Sequence, residues 1–168
     1  MDRKAIYIVN FATSAVVKKV TIDPNCQHDP FARYKMPQLL IQIIGNGKMI
    51  RTIFRNVDEV AQSLGIPPSY IPHYLAKSIG AQAKYDLKKN KQERASISGK
   101  YPISELEDNL INLIEIFVLC QKCRYPELIY SPMKKNCKVR CQSCGWRTHF
   151  KQMNLADNFM RWACTHPP

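Results

Sequence analysis

Acidic residues are scarce in this chain: 13 Asp and Glu stand against 25 Lys and Arg in 168 residues, leaving a formal charge of +12. A surface this unbalanced repels itself unless a polyanion screens it, and solubility alone needs only about 2 to 8 charges in a small domain. Nucleic acid is therefore the first partner to expect. Long apolar runs are lacking too. None reaches the ~18 residues of a membrane helix, so neither a membrane-spanning role nor a membrane partner is expected. Residues 5–9 are apolar and follow Arg3 and Lys4, but Asp2, Asn10 and Lys18-Lys19 interrupt them, and no Arg-rich amphipathic pattern marks a targeting leader. No internal repeat of about 20 to 50 residues is visible.

What is present is a foldable composition, 45% hydrophobic, with seven cysteines. An odd number does not close into a disulfide framework, and four of the seven form two Cys-x-x-Cys pairs, Cys120/Cys123 and Cys141/Cys144. Their spacing is that of a four-thiolate zinc ribbon, in which each pair turns the chain so that two sulfurs converge on one ion. A closed four-cysteine set leaves no position for water, so one structural Zn2+ is expected, in a reducing, cytoplasmic setting. A disulfide or free thiols are the alternatives. Cys137 is a possible competitor but lacks paired spacing; Cys26 and Cys164 read as ordinary thiols.

Residues 1–30 read as an N-terminal extension, closed by the turn signals Asp23-Pro24 and Asp29-Pro30. Residues 31–118 read as a small α/β domain. Within it, residues 39–44 and 49–54 are strand-like and flank Gly45-Asn46-Gly47-Lys48, which predicts a β-hairpin with a basic tip. Val57, Val60, Ala61 and Leu64 have helical spacing, with Gly65 at the C-terminal cap. Ser69 opens a second helix running to Ile79, with Pro72 tolerated in its first turn. Residues 84–87 and 95–98 read as two further strands around a polar tip. Ser104 and Glu107 resemble a capping box for a third helix that buries Leu106, Leu110, Leu113, Ile114 and Phe117. Residues 119–150 read as the ribbon and 151–168 as a C-terminal helix and tail. The fold class expected is α+β: an α/β domain with short helices, a four-cysteine ribbon and a terminal helix. Lys134, Lys135, Arg140, Trp146 and Arg147 surround the ribbon and suit RNA phosphates and base stacking.

The segment Asp29-Pro30-Phe31-Ala32-Arg33-Tyr34-Lys35-Met36-Pro37, with residues 45–52, Gly80-Ala81-Gln82, residues 117–120 and Cys141-x-x-Cys144-Gly145, resembles the N-terminal domain of eukaryotic translation initiation factor 5. The related beta subunit of initiation factor 2 shares the same plan. The resemblance implies a domain that sits on the small ribosomal subunit near the initiator tRNA and accelerates GTP hydrolysis on initiation factor 2. It implies that Arg33 is an arginine finger assisted by Lys35 and Arg51, and that Asn46, Gly47, Lys48 and His73 approach RNA. Two departures weaken it: His73 stands where a lysine is expected, and Met49 replaces a third glycine, implying a stiffer, bulkier loop. The family also continues into a helical-repeat domain, whereas this sequence ends at Pro168.

Two functions from different classes follow. In the first, the chain has no chemistry of its own and acts in trans as a GTPase activator, with ribosome, initiator tRNA, rRNA and GTP-bound initiation factor 2 as partners. In the second, it is a non-catalytic, dormancy-type factor that uses the same basic surface to occupy the tRNA-binding region of idle ribosomes. Taken by itself, Arg33 also reads as an arm residue making a surface ion pair.

Overall fold

The computed structural model describes residues 17–132 and 137–150. Strand β1 (Lys19–Thr21) pairs antiparallel with β2 (Lys35–Pro37) in a two-stranded ribbon. Strands β3 (Ile41–Ile44), β4 (Arg51–Phe54), β5 (Ala83–Tyr85) and β6 (Ala95–Ser98) form a four-stranded antiparallel sheet in the order β3-β4-β6-β5. Helices α1 (Val57–Leu64), α2 (Tyr70–Ser78) and α3 (Ile103–Phe117) accompany it. The chain then enters a three-stranded sheet of β7 (Leu128–Pro132), β8 (Cys137–Cys141) and β9 (Arg147–Phe150). This is the expected mixed α+β protein with its β-hairpin. The terminal helix and tail expected over residues 151–168, and residues 1–16 of the N-terminal extension, lie outside the described residues.

The core forms where the helix and strand periodicities converge. Val57, Val60, Ala61 and Leu64 share one face of α1, and Leu106, Leu110, Leu113, Ile114 and Phe117 share one face of α3; all are buried. On the central strands, Phe54 is fully buried opposite Ala95, so a large side chain sits beside a small one. Each fully buried Val, Leu, Ile or Phe among them stabilises the fold by about 1.5–3 kcal/mol relative to exposure. Tyr74 of α2 meets Phe117 of α3 edge to face at 5.7 Å. Gly65 ends α1 in the left-handed conformation, φ 67°, its N–H bonding to the last turn.

Asn56 precedes α1, yet its side chain does not cap that helix. Its Oδ1 accepts from Leu40 N at 2.8 Å and its Nδ2 donates to Gln38 O at 2.8 Å, so a buried amide ties the segment between β2 and β3 to α1. The same kind of competition removes the capping box at Ser104. Helix α3 begins earlier than a Ser104 cap would place it, directly after Pro102 in extended geometry, with no side-chain cap, and Glu107 instead accepts from Gln38 Nε2 at 3.0 Å. Ser69 likewise precedes α2 without a side-chain cap bond.

Part of the segment read as an extension belongs to the folded body. Ile22 is buried in the core, and the ladder of β1 and β2 continues through Ile22 N to Tyr34 O at 3.1 Å. The turn signals at Asp23-Pro24 and Asp29-Pro30 lie inside the loop of this two-stranded unit, between its strands.

The hairpin between β3 and β4 turns through a single 3-10 turn, Gly47–Met49, with Met49 exposed. Gly45 has φ 97°, and a Cβ there would lie 2.2 Å from Met49 O; Gly47 has φ 53° and open space around it. Gly45→Ala, which meets both a left-handed backbone and the Met49 carbonyl, is therefore expected to lower unfolding free energy by about 2–4 kcal/mol in urea titrations, and Gly47→Ala, which meets only the left-handed backbone, by about 1–2 kcal/mol. Equal losses at the two positions would show that the close approach to Met49 carries no weight.

Candidate functional site

Four sulfurs converge where the helical body hands over to the ribbon. The Sγ atoms of Cys120, Cys123, Cys141 and Cys144 all lie within 4.8 Å of one another, with Cys120 to Cys144 at 3.7 Å and Cys123 to Cys141 at 3.6 Å. A tetrahedral ion with metal–sulfur bonds of about 2.3 Å spaces its ligands roughly 3.8 Å apart, so the donor set fits one thiophilic cation. No disulfide joins any two of the four.

The two Cys-x-x-Cys turns are built alike. Arg124 N donates to Cys120 O at 2.8 Å and Cys120 N to Tyr125 O at 3.1 Å. In the second turn Gly145 N donates to Cys141 O at 3.1 Å and Cys141 N to Trp146 O at 2.8 Å. The residue after each pair adopts the left-handed conformation, φ 59° at Arg124 and 72° at Gly145. Glycine takes that conformation readily; a residue with a Cβ is disfavoured there by roughly 1–2 kcal/mol.

The thiols do not ionise alike. Burial pushes Cys120 up, but the backbone N–H groups of Cys123 and Lys122 and the adjoining Cys144 and Cys123 thiols outweigh it, bringing Cys120 to about 7. Burial, reinforced by the neighbouring thiols, pushes Cys123 up to about 12, and burial raises Cys141. Burial and mutual crowding oppose full ionisation of the set, and a bound cation would offset both.

Beside this cluster stands the arm that bears Arg33. The period of two along residues 33–36 turns Tyr34 and Met36 inward and leaves Arg33 and Lys35 exposed on the same side. The Arg33 guanidinium carbon lies 5.6 Å from the Tyr34 ring centroid, and no carboxylate among the described residues forms an ion pair with it. Lys35 Nζ donates to Pro30 O at 3.2 Å.

The arm is fastened to the first Cys-x-x-Cys turn. Asp23 accepts from Arg124 Nε at 2.9 Å and Nη2 at 2.7 Å, a two-pronged pair, and that guanidinium holds the Asp23 carboxyl below its usual range. Glu115 lies 3.5 Å from the same Nη2. Tyr34 Oη donates to Glu127 Oε1, and the Tyr34 and Tyr125 rings meet at 5.7 Å. These contacts were not anticipated from the sequence. One signal for them was there: Arg124 occupies the position that Gly145 fills in the second turn, a conformationally awkward place for an arginine with no task.

The other expected site residues lie on separate elements. Arg51 is exposed at the start of β4; Asn46, Gly47 and Lys48 are exposed at the hairpin tip. His73 is half-buried in α2, its Nδ1–H donating to Ser69 O at 2.8 Å. Arg140 of β8 and Arg147 of β9 are exposed and directly opposite one another, an arrangement of like charges that disfavours the pairing unless an anion meets it. Trp146 is half-buried beside them. Lys134, Lys135 and the side chain of Cys137 lie outside the described residues.

A family described as the domain found in initiation factors 2B and 5 matches residues 24–147, a span running from the arm through the second thiol pair. The chain belongs to this family. It is 39% identical over 117 residues to eukaryotic translation initiation factor 5 of Caenorhabditis elegans, covering 70% of this chain and 26% of that protein. Its identity to the Mus musculus factor is 37% over 129 residues, covering 73% and 29%. To the Saccharomyces cerevisiae factor it is 35% over 142 residues, covering 84% and 34%. The family's domain therefore accounts for most of this chain, and the chain spans about a quarter to a third of the length of these curated relatives.

Proposed function

We propose that this chain works in translation initiation as a factor 5-like domain that binds the small ribosomal subunit near the initiator tRNA and stimulates GTP hydrolysis on initiation factor 2. The observation that carries the proposal is the state of Arg33: exposed, without a carboxylate partner among the described residues, and borne on an arm fastened to the folded body. A guanidinium so presented can enter a partner's nucleotide site and offset the charge that develops on the γ-phosphate oxygens. Lys35, exposed on the same side of the arm, and Arg51 add positive charge toward the same anion. The partner supplies the water and the nucleotide; this chain supplies cations. Loss of stimulated hydrolysis in Arg33→Ala, with binding retained, is the test.

Zinc is the ion we assign to Cys120, Cys123, Cys141 and Cys144, because four thiolates at these separations favour a tetrahedral, redox-inert cation. When bound, it neutralises the sulfurs and locks both Cys-x-x-Cys turns. It takes no part in hydrolysis.

Ribosomal RNA and initiator tRNA are met, on this reading, by Asn46, Gly47, Lys48, His73, Arg140, Trp146 and Arg147, and by Lys134 and Lys135 as cations of the sequence, in the cytoplasm. The opposed pair Arg140 and Arg147 supports the RNA assignment, since phosphate between them turns repulsion into attraction. Binding should then be salt-dependent. If four phosphates are neutralised, affinity for small subunits should fall roughly fifty-fold between about 50 and 200 mM salt. A flat response in co-sedimentation would mean that the basic surface faces solvent.

A further inference from the structure

We infer that the metal-binding turn of the ribbon is the anchor that holds the Arg33 arm in position, with Arg124, Tyr125 and Glu127 as positioning residues acting through Asp23 and Tyr34. The contacts carry the inference. Arg124 and Glu127 reach back across 101 and 93 residues of sequence to the two sides of one loop, Asp23 just after β1 and Tyr34 just before β2. The loop sides are joined to each other by Ile22 N to Tyr34 O at 3.1 Å. Arg33 is adjacent to Tyr34 and lies over its ring. A shift of residues 124–127 therefore moves the base on which Arg33 stands.

The identity of residue 124 points the same way. In the second turn, the corresponding left-handed position is Gly145, which has no side chain to reach elsewhere. In the first turn an arginine accepts the same strained backbone, and its side chain makes the two-pronged bond to Asp23. The ribbon's own folding would be served better by glycine; the two-pronged bond to the arm needs the arginine fork. Closing the thiol cluster fixes Cys120 and Cys123, and with them the residues that follow directly in the chain. Occupancy of the cluster is thereby coupled to order in residues 22–36.

The catalytic consequence rests on the reading of Arg33 as a finger, whereas the anchoring does not, and the test separates them. Arg124→Gly in the full 168-residue chain should keep one metal equivalent, since glycine suits the turn. Amide hydrogen exchange over residues 22–36 should nonetheless accelerate at least tenfold while residues 106–117 stay protected. Removing the metal from the wild type with a chelator should accelerate the same amides. Tyr34→Phe, which keeps the ring and loses the bond to Glu127, should give a smaller acceleration, and Arg124→Lys should recover part of the loss. In single-turnover hydrolysis the Arg124→Gly protein should be about five- to tenfold slower with unchanged ribosome binding. Unchanged exchange over residues 22–36 in both Arg124→Gly and the metal-stripped protein would overturn the anchor. Accelerated exchange with full hydrolysis would leave the anchor standing and show that hydrolysis does not depend on it.

Discussion

Stripping the metal should unfold the ribbon while leaving most of the helical body intact. The described ribbon has little core of its own: beyond the cysteines, Val139 is its buried apolar residue, whereas the main cluster draws on all three helices and the sheet. Structural zinc contributes on the order of 10 kcal/mol in small thiolate-bound units, far more than one buried valine. Cys123→Ser or Cys141→Ser should therefore release the metal, measured as loss of the ~1 equivalent expected, and expose β7, β8 and β9 to proteolysis. The cut should stop near α3, because Leu110, Leu113, Ile114 and Phe117 of that helix are buried in the main cluster and do not depend on the ribbon's metal. A metal-free variant with native protection of β8 would show that the ribbon is held by packing alone.

Arg33→Ala should slow stimulated GTP hydrolysis on initiation factor 2 by at least about thirty-fold, since fingers of this kind contribute on the order of 10³ to 10⁵ in rate. Ribosome binding should stay nearly unchanged, because a finger acts in the transition state more than in the ground-state complex. Arg33→Lys should fail almost as badly: a lysine keeps the charge but loses the planar fork that donates to two oxygens. Substitution at Arg140 or Arg147 should show the opposite pattern, weakening binding with little change in the rate from the bound complex.

The parts of this molecule that were legible in the sequence are those governed by local rules. The spacing of Cys120, Cys123, Cys141 and Cys144 foretold a cluster that the structure brings within 4.8 Å. The periodicity in residues 57–64 and 106–117 foretold which faces are buried, and Gly45 and Gly47 marked a hairpin turn. What was missed depends on partners far away in sequence. Residues 19–22 looked detached because Asp23-Pro24 and Asp29-Pro30 signal turns, and a turn signal does not say whether the strands on either side of it pair. Ser104 and Glu107 fit a local capping pattern, but Gln38, distant in sequence, takes the Glu107 carboxylate. The bonds from Asp23 to Arg124 and from Tyr34 to Glu127 join surface-type residues that carry no periodic signature. Only the contrast between Arg124 and Gly145, in two otherwise matching turns, hinted at them.

If a cation on this arm accelerates hydrolysis in another protein, single-turnover GTP hydrolysis on reconstituted small-subunit initiation complexes shows it most directly. Wild type should raise the rate well above that of complexes lacking it, and Arg33→Ala, bound to the same extent by co-sedimentation, should return the rate close to the unstimulated value. Equal rates with wild type, with Arg33→Ala and with no added protein, despite tight binding of both, would contradict the account and leave a non-catalytic factor that occupies the tRNA-binding region of idle ribosomes.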